Sequence, residues 1–222
     1  MNKIFPLLAA FATIVVVTAC EDYLTPQDSS YKTGITFTNP GNIQGTYVIV
    51  GEPALYEVTT NGWMPPRQGE YKAYFSSVPP KGDVISVRGD DPIIIGQTAF
   101  TVSDTNNKTT VSIPVKQISS KLSVQKAKNI RMSKVLLKGI QKSVLMNGEF
   151  NGTPTSIPFD KINYNFVYYV VAKQIEISVS VDILNDLGET EDIKAFKENI
   201  DIQPGRQYTI KVGKDGLSIS SN

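Results

Sequence analysis

The stretch Ile175 to Ile183 constrains the fold more than any other. Ile175, Ile177, Val179, Val181 and Ile183 alternate with Glu176, Ser178, Ser180 and Asp182. Successive side chains of an extended strand point to opposite faces, so this spacing gives one apolar face and one solvated face over nine residues. A helix would scatter the same residues around its circumference. Shorter versions recur. Val111, Ile113 and Val115 alternate with polar or proline positions, as do Tyr208, Ile210 and Val212, Ile35 with Phe37, Leu122 with Val124, and Val135 with Leu137. Pro114 cannot donate to a ladder and marks an edge or a strand end.

Turn residues separate these runs. Asn39-Pro40-Gly41-Asn42, Asn61-Gly62, Pro79 to Asp83, Asp104 to Lys108, Asn147-Gly148, Asn151-Gly152, Asp186 to Gly188 and Pro204-Gly205 all read as turns. The Asn-Gly pairs suggest tight hairpins in which both residues take positive φ. Only Thr190 to Asn199 offers a helical alternative, and there a strand or an irregular loop fits as well. The pattern predicts about seven strands between residues 33 and 116 and about eight between 117 and 222. Two tandem β-sandwiches of roughly 85 and 105 residues accommodate them, with a boundary near Val115 to Ser120 and no flexible linker between.

Composition narrows the chemistry. The chain has 222 residues, no histidine and one cysteine, Cys20. Imidazole bases, Ser-His-Asp and Cys-His catalysis, zinc sites built on His or Cys, and internal disulfides are thereby excluded. The 22 Lys and Arg against 21 Asp and Glu provide no basic field for nucleic acid. No catalytic residue, cofactor site or metal site is expected, and the chain is read as a non-enzymatic one.

The amino terminus reads as an address. Lys3 precedes the apolar run Ile4 to Val17, interrupted by Thr13, and Val17-Thr18-Ala19-Cys20 puts small residues ahead of a cysteine. Such an arrangement describes a secretory signal over residues 1–19, too short for an ordinary membrane span. The tetrapeptide resembles the lipobox of bacterial lipoproteins, which implies cleavage before Cys20, diacylglycerol on its thiol and acylation of its amine, palmitate being a typical chain. Three acyl chains at about 0.8 kcal/mol per buried CH₂ make release negligible. Residues 20–32, opening with Glu21-Asp22 and rich in Ser, Thr, Pro and Asp, read as a polar tether. Acidic residues directly after the lipidated cysteine resemble the export signal of surface-exposed lipoproteins in the Bacteroidetes, implying an outer-membrane, cell-surface location.

Two further stretches carry a family resemblance. TVSIPVKQISSKLSV, Thr110 to Val124, joins the two expected sandwiches, and IDIQPGRQYTI, Ile200 to Ile210, has the form apolar-x-apolar-x-Pro-Gly-x-x-Tyr-x-apolar. With the lipobox and the layout, the chain resembles the fimbrillin-associated anchor and fimbrillin-like lipoproteins of the Bacteroidetes. That family commonly has an Arg where this chain has Lys116 and Lys121. The resemblance implies two transthyretin-like β-sandwich domains, 33–116 and 117–222. It also implies a role as fimbrial anchor or fimbria-associated subunit, with fimbrial subunits or other surface proteins as partners through strand addition. The alternative is a surface glycan-binding lipoprotein of a nutrient-uptake system.

Other features read more plainly. Arg88-Gly89-Asp90 spells an integrin-recognition tripeptide, but its use depends on display at a loop tip, and a turn after the Val84 to Val87 strand explains it. Asp90-Asp91, and Glu189 with Glu191-Asp192, lack the spacing of a calcium loop and read as solvated. Trp63, with Tyr56, Tyr71 and Tyr74, offers either a sugar-stacking platform or a core anchor. Tyr164, Phe166, Tyr168 and Tyr169 are expected to pack between sheets.

Overall fold

The computed structural model describes residues 34–51, 55–60, 62–105, 108–162 and 164–222. The expected signal, Cys20 and tether lie outside the described residues. Among those described, the chain is strands and turns with no helix. Residues up to 117 supply β1 (Ile35–Thr38), β2 (Thr46–Gly51), β3 (Leu55–Thr59), β4 (Gly62–Trp63), β5 (Gly69–Ser76), β6 (Val84–Ser86), β7 (Ile94–Val102), β8 (Thr109–Ser112) and β9 (Val115–Gln117). The remainder supplies β10 (Ser120–Lys126), β11 (Ile130–Ile140), β12 (Ser143–Leu145), β13 (Thr155–Ile162), β14 (Phe166–Val170), β15 (Gln174–Leu184), β16 (Thr190–Asp201), β17 (Gln207–Val212) and β18 (Leu217–Ser221). Nine and nine thus replace the expected seven and eight, because two- and three-residue strands such as β4 and β12 are too short to show alternation.

Two stacks of sheets hold the first two cores. Sheet β4-β1-β8 lies on sheet β3-β2-β5-β7-β9. Between them Ile35, Phe37, Tyr47, Ile49, Trp63, Tyr71, Phe75 and Val111 are buried. Sheet β14-β10-β17-β18 lies on β13-β11-β15-β16. The core there takes Leu122, Val124, Met132, Val135, Leu137, Tyr208, Ile210 and the alternating apolar positions of β15. In both stacks the opening strand is paired in parallel with a late one, β1 with β8 and β10 with β17.

A third core joins the stacks. The run Tyr47-Val48-Ile49-Val50 is apolar on both faces, the pattern of a strand covered on both sides. Tyr47 and Ile49 enter the first core, while Val48 and Val50 turn to the other face. Ile85 of β6 and Val144 of β12 cover that face with Ile93, Ile95, Ile118, Met146 and Val171. β6 and β12 form their own antiparallel pair, Ile85 opposite Val144. A segment from beyond residue 117 therefore packs on the outside of the first stack.

Local chemistry sets the turns. At Asn147-Gly148 only the glycine has positive φ, 91°. Gly148 N–H donates to Leu145 O and Leu145 N–H to Glu149 O, both at 2.8 Å. This is a type I turn followed by a left-handed glycine, not the tighter turn with two left-handed residues expected from the dipeptide. Residues 190–199 lie within β16, paired along β15 from Gln174↔Asp201 to Leu184↔Thr190. The helical alternative is thus removed by cross-strand pairing. Within IDIQPGRQYTI the tyrosine ties a corner: its hydroxyl accepts from Gln203 N–H at 2.8 Å and donates to Asp201 O at 3.0 Å. Ser120 Oγ donates to Gln203 O at 2.7 Å, fixing that corner to β10.

Candidate functional site

Arg88-Gly89-Asp90 is not a free tip. Val87 N–H donates to Lys142 O at 2.8 Å, and Gly89 O accepts from Tyr169 N–H at 2.8 Å. Gly89 is buried with φ 90°, and a Cβ there would overlap the Tyr168 ring. Arg88 and Asp90 flank it exposed. Burial, and then the charge of Asp90, push the Tyr168 hydroxyl pKa up. The tripeptide is a strap: it satisfies a backbone donor on the outer edge of β14.

The aromatic candidates divide. Trp63 is only 3% exposed and meets Tyr71 edge-on, with ring centroids 4.9 Å apart. Its Nε1–H donates to the Glu57 carboxylate. A stacking platform needs an open face, and Trp63 offers none. Tyr74 packs half-buried against the third core. Phe166 and Tyr168 pack on the second core, as expected. Tyr164 does not: it is 67% exposed, and the expectation that it lies between sheets is corrected. Among the described residues no three acidic side chains converge as a metal site. An open groove of about 1100 Å³ at one end of the second stack carries both Lys126, Lys128 and Lys214 and Asp186, Glu191 and Asp215.

The sheet edges offer the remaining surface for contact. An unpaired edge presents rows of N–H and C=O groups to any extended chain, and charges, proline or coverage blunt it. Most edges here are blunted. β3 turns Glu57 inward, opposite Ile49, and burial raises its carboxyl pKa. β4 and β9 have two and three residues. β8 has four residues and ends before Pro114, where the chain crosses to β9. β13 carries Pro158, opposite Leu136, and β14 is strapped by Gly89. β16 is twelve residues long, yet its core-side positions include Asp192, Lys194 and Glu198, opposite Ile183, Val181 and Ile177.

β18 lacks these defences. Leu217-Ser218-Ile219-Ser220-Ser221 has no charge and no proline. Gln207 and Asn222 exchange both backbone hydrogen bonds, at 3.2 and 2.9 Å. By antiparallel alternation, Leu217, Ile219 and Ser221 then turn their N–H and C=O groups outward. Leu217 and Ile219 are half-buried on the second core, as is Phe196 from β16, leaving an apolar lip beside the open edge. This edge is not among the strands that sequence alternation marks most clearly. Its signal is the uncharged alternation Leu217-Ser-Ile-Ser within an otherwise charge-sprinkled segment.

No family model matches the chain, and no curated protein does. Solved structures do match. A candidate cell adhesion protein from Bacteroides uniformis aligns with TM-score 0.50 and 12% identity over 88% of this chain and 98% of that one. A candidate cell adhesion protein from Bacteroides ovatus aligns with TM-score 0.46 and 12% identity over 87% and 96%. A fimbrial assembly protein from Parabacteroides distasonis gives TM-score 0.47 and 11% identity over 81% and 87%. The shared property with the Bacteroides uniformis protein is the fold, an all-β arrangement spanning nearly the whole of both chains.

Proposed function

We propose that this chain is a non-enzymatic lipoprotein of the outer membrane, exposed at the cell surface, that serves as a fimbrial anchor or fimbria-associated subunit. In this reading residues 1–19 are removed, Cys20 carries the lipid, and residues 20–32 give reach. The bodies 33–116 and 117–222 act as tandem sandwich domains. Assembly proceeds by contact between sheet edges and extended partner strands. The observation that carries the reading is that, among the described residues, the edge strands of the two stacks are guarded except for β18, in a fold shared with a candidate adhesion protein. The lipobox and the Ile200 to Ile210 stretch support the fimbrial assignment by resemblance.

The test is affinity capture of the tagged lipoprotein from its own outer membrane. Co-purification of fimbrial subunits supports the assignment; retention on a polysaccharide panel without such subunits replaces it with the glycan-binding role. Cys20→Ala should leave the strand content by circular dichroism unchanged and release the protein from membrane fractions. Continued membrane partitioning with incorporation of labelled fatty acid would refute the anchor.

A further inference from the structure

We propose that β18 pairs antiparallel with β18 of a second copy of this chain, forming a two-fold dimer with a sheet continuous across both. The mode of contact rests on the sheet-edge reading above; the identity of the partner does not. Outward N–H and C=O groups of Leu217, Ile219 and Ser221 find partners in such a pair, and no charge on β18 opposes another. The surrounding charges select a copy of the same chain.

On the core side of β16, Lys194, Phe196 and Glu198 follow one another at alternate positions, opposite Val181, Val179 and Ile177. β16 lies at the same side of the stack as β18, and Lys194 Nζ donates to Lys214 O at the turn entering β18, 3.3 Å away. A two-fold axis near Phe196 brings Lys194 of each copy to Glu198 of the other, because the pattern plus-apolar-minus is its own complement when reversed. Phe196, Leu217 and Ile219, half-buried in one copy, are covered by the same residues of the next. The charges that discourage indiscriminate strand addition at β16 thus also fix the register of the permitted one.

Sedimentation equilibrium of the full chain in density-matched detergent, from about 1 to 200 μM, tests the inference. A reversible monomer–dimer equilibrium is expected. Ser221→Pro removes an outward N–H and no ladder bond to β17, and should give a folded monomer. Lys194→Glu alone should weaken the dimer by about tenfold or more through like charges at both symmetric contacts. Combining it with Glu198→Lys should restore dimerisation, an outcome that a merely structural role for either residue would not produce. A wild-type chain that stays monomeric over the whole range overturns the proposal. So does a dimer indifferent to Ser221→Pro, or a double variant no better than Lys194→Glu. Capture of fimbrial subunits is a separate readout, so loss of self-pairing with retained capture refutes this inference and leaves the assembly role standing.

Discussion

Tyr208 shows how one side chain can hold a corner. It is 6% exposed, and its hydroxyl makes two hydrogen bonds to backbone between the end of β16 and the following turn. Replacing it by phenylalanine keeps the ring in the second core but leaves Gln203 N–H and Asp201 O without this partner. Orphaning a buried polar group costs about 1–3 kcal/mol. Tyr208→Phe should therefore lower the unfolding free energy by that amount, read as a lower urea midpoint with an unchanged slope. A midpoint equal to wild type would mean that water replaces the hydroxyl at no cost. The Pro-Gly-x-x-Tyr stretch was legible as a motif, but only the structure gives its reason: Pro204-Gly205 turns the chain so that the tyrosine reaches back. Residue-scale features without a local pattern were less legible. Nothing around Glu57 says that it points inward, because that orientation is set by pairing with Ile49 on another strand.

Individual strands were legible where one face is buried and the other is wet. β15 is the clearest example, and all five of its alternating apolar residues face the second core. β16 was not legible, because its core-side positions mix Asp192, Lys194 and Glu198 with Phe196 and Ile200, and it owes its extended form to β15. The pair also sets a pH dependence. Glu176 on β15 meets Lys197 on β16 at 2.5 Å and Lys138 on β11 at 2.9 Å. Hydrogen bonds from Lys197 and then Lys138 hold its carboxyl below the usual value of 4.5. A carboxylate depressed in the folded state contributes stability above its unfolded pKa, and that contribution is lost as pH falls through the folded value. Glu57 runs the other way: its raised carboxyl favours the fold at low pH, and that advantage is lost as pH rises through its folded value. Glu176→Gln should thus destabilise at pH 7, and the gap to wild type should close as pH falls through the folded value, read from urea midpoints over an acid series. A gap that persists unchanged at low pH would show that the ion pairs do not carry the effect.

At the scale of the molecule, the question is whether the stacks behave as two bodies or one. The first and second cores draw on separate stretches of chain, but the third does not. Its residues run from Val48 to Val171, and Val144 sits within it with no exposed surface. Backbone bonds cross in the same region: Val87 N–H to Lys142 O, Met146 N–H to Asp83 O, and Tyr169 N–H to Gly89 O. The period-two pattern locates strands but cannot show that β12 leaves its neighbours to pair with β6, 57 to 61 residues earlier in the register Val84↔Leu145 to Ser86↔Ser143. Contacts of this kind couple unfolding, since neither stack can open without exposing the shared core. The chain should therefore unfold in one transition, with fluorescence of Trp63, the sole tryptophan and a member of the first core, superposing on far-ultraviolet circular dichroism. Val144→Asp places a charge in the shared core without touching the other two. It should split the transition, with the Trp63 signal parting from the circular dichroism signal along the denaturant axis. Separate transitions in the wild type, or superposed ones at the wild-type midpoint in the variant, would show that the third core covers the stacks without joining them.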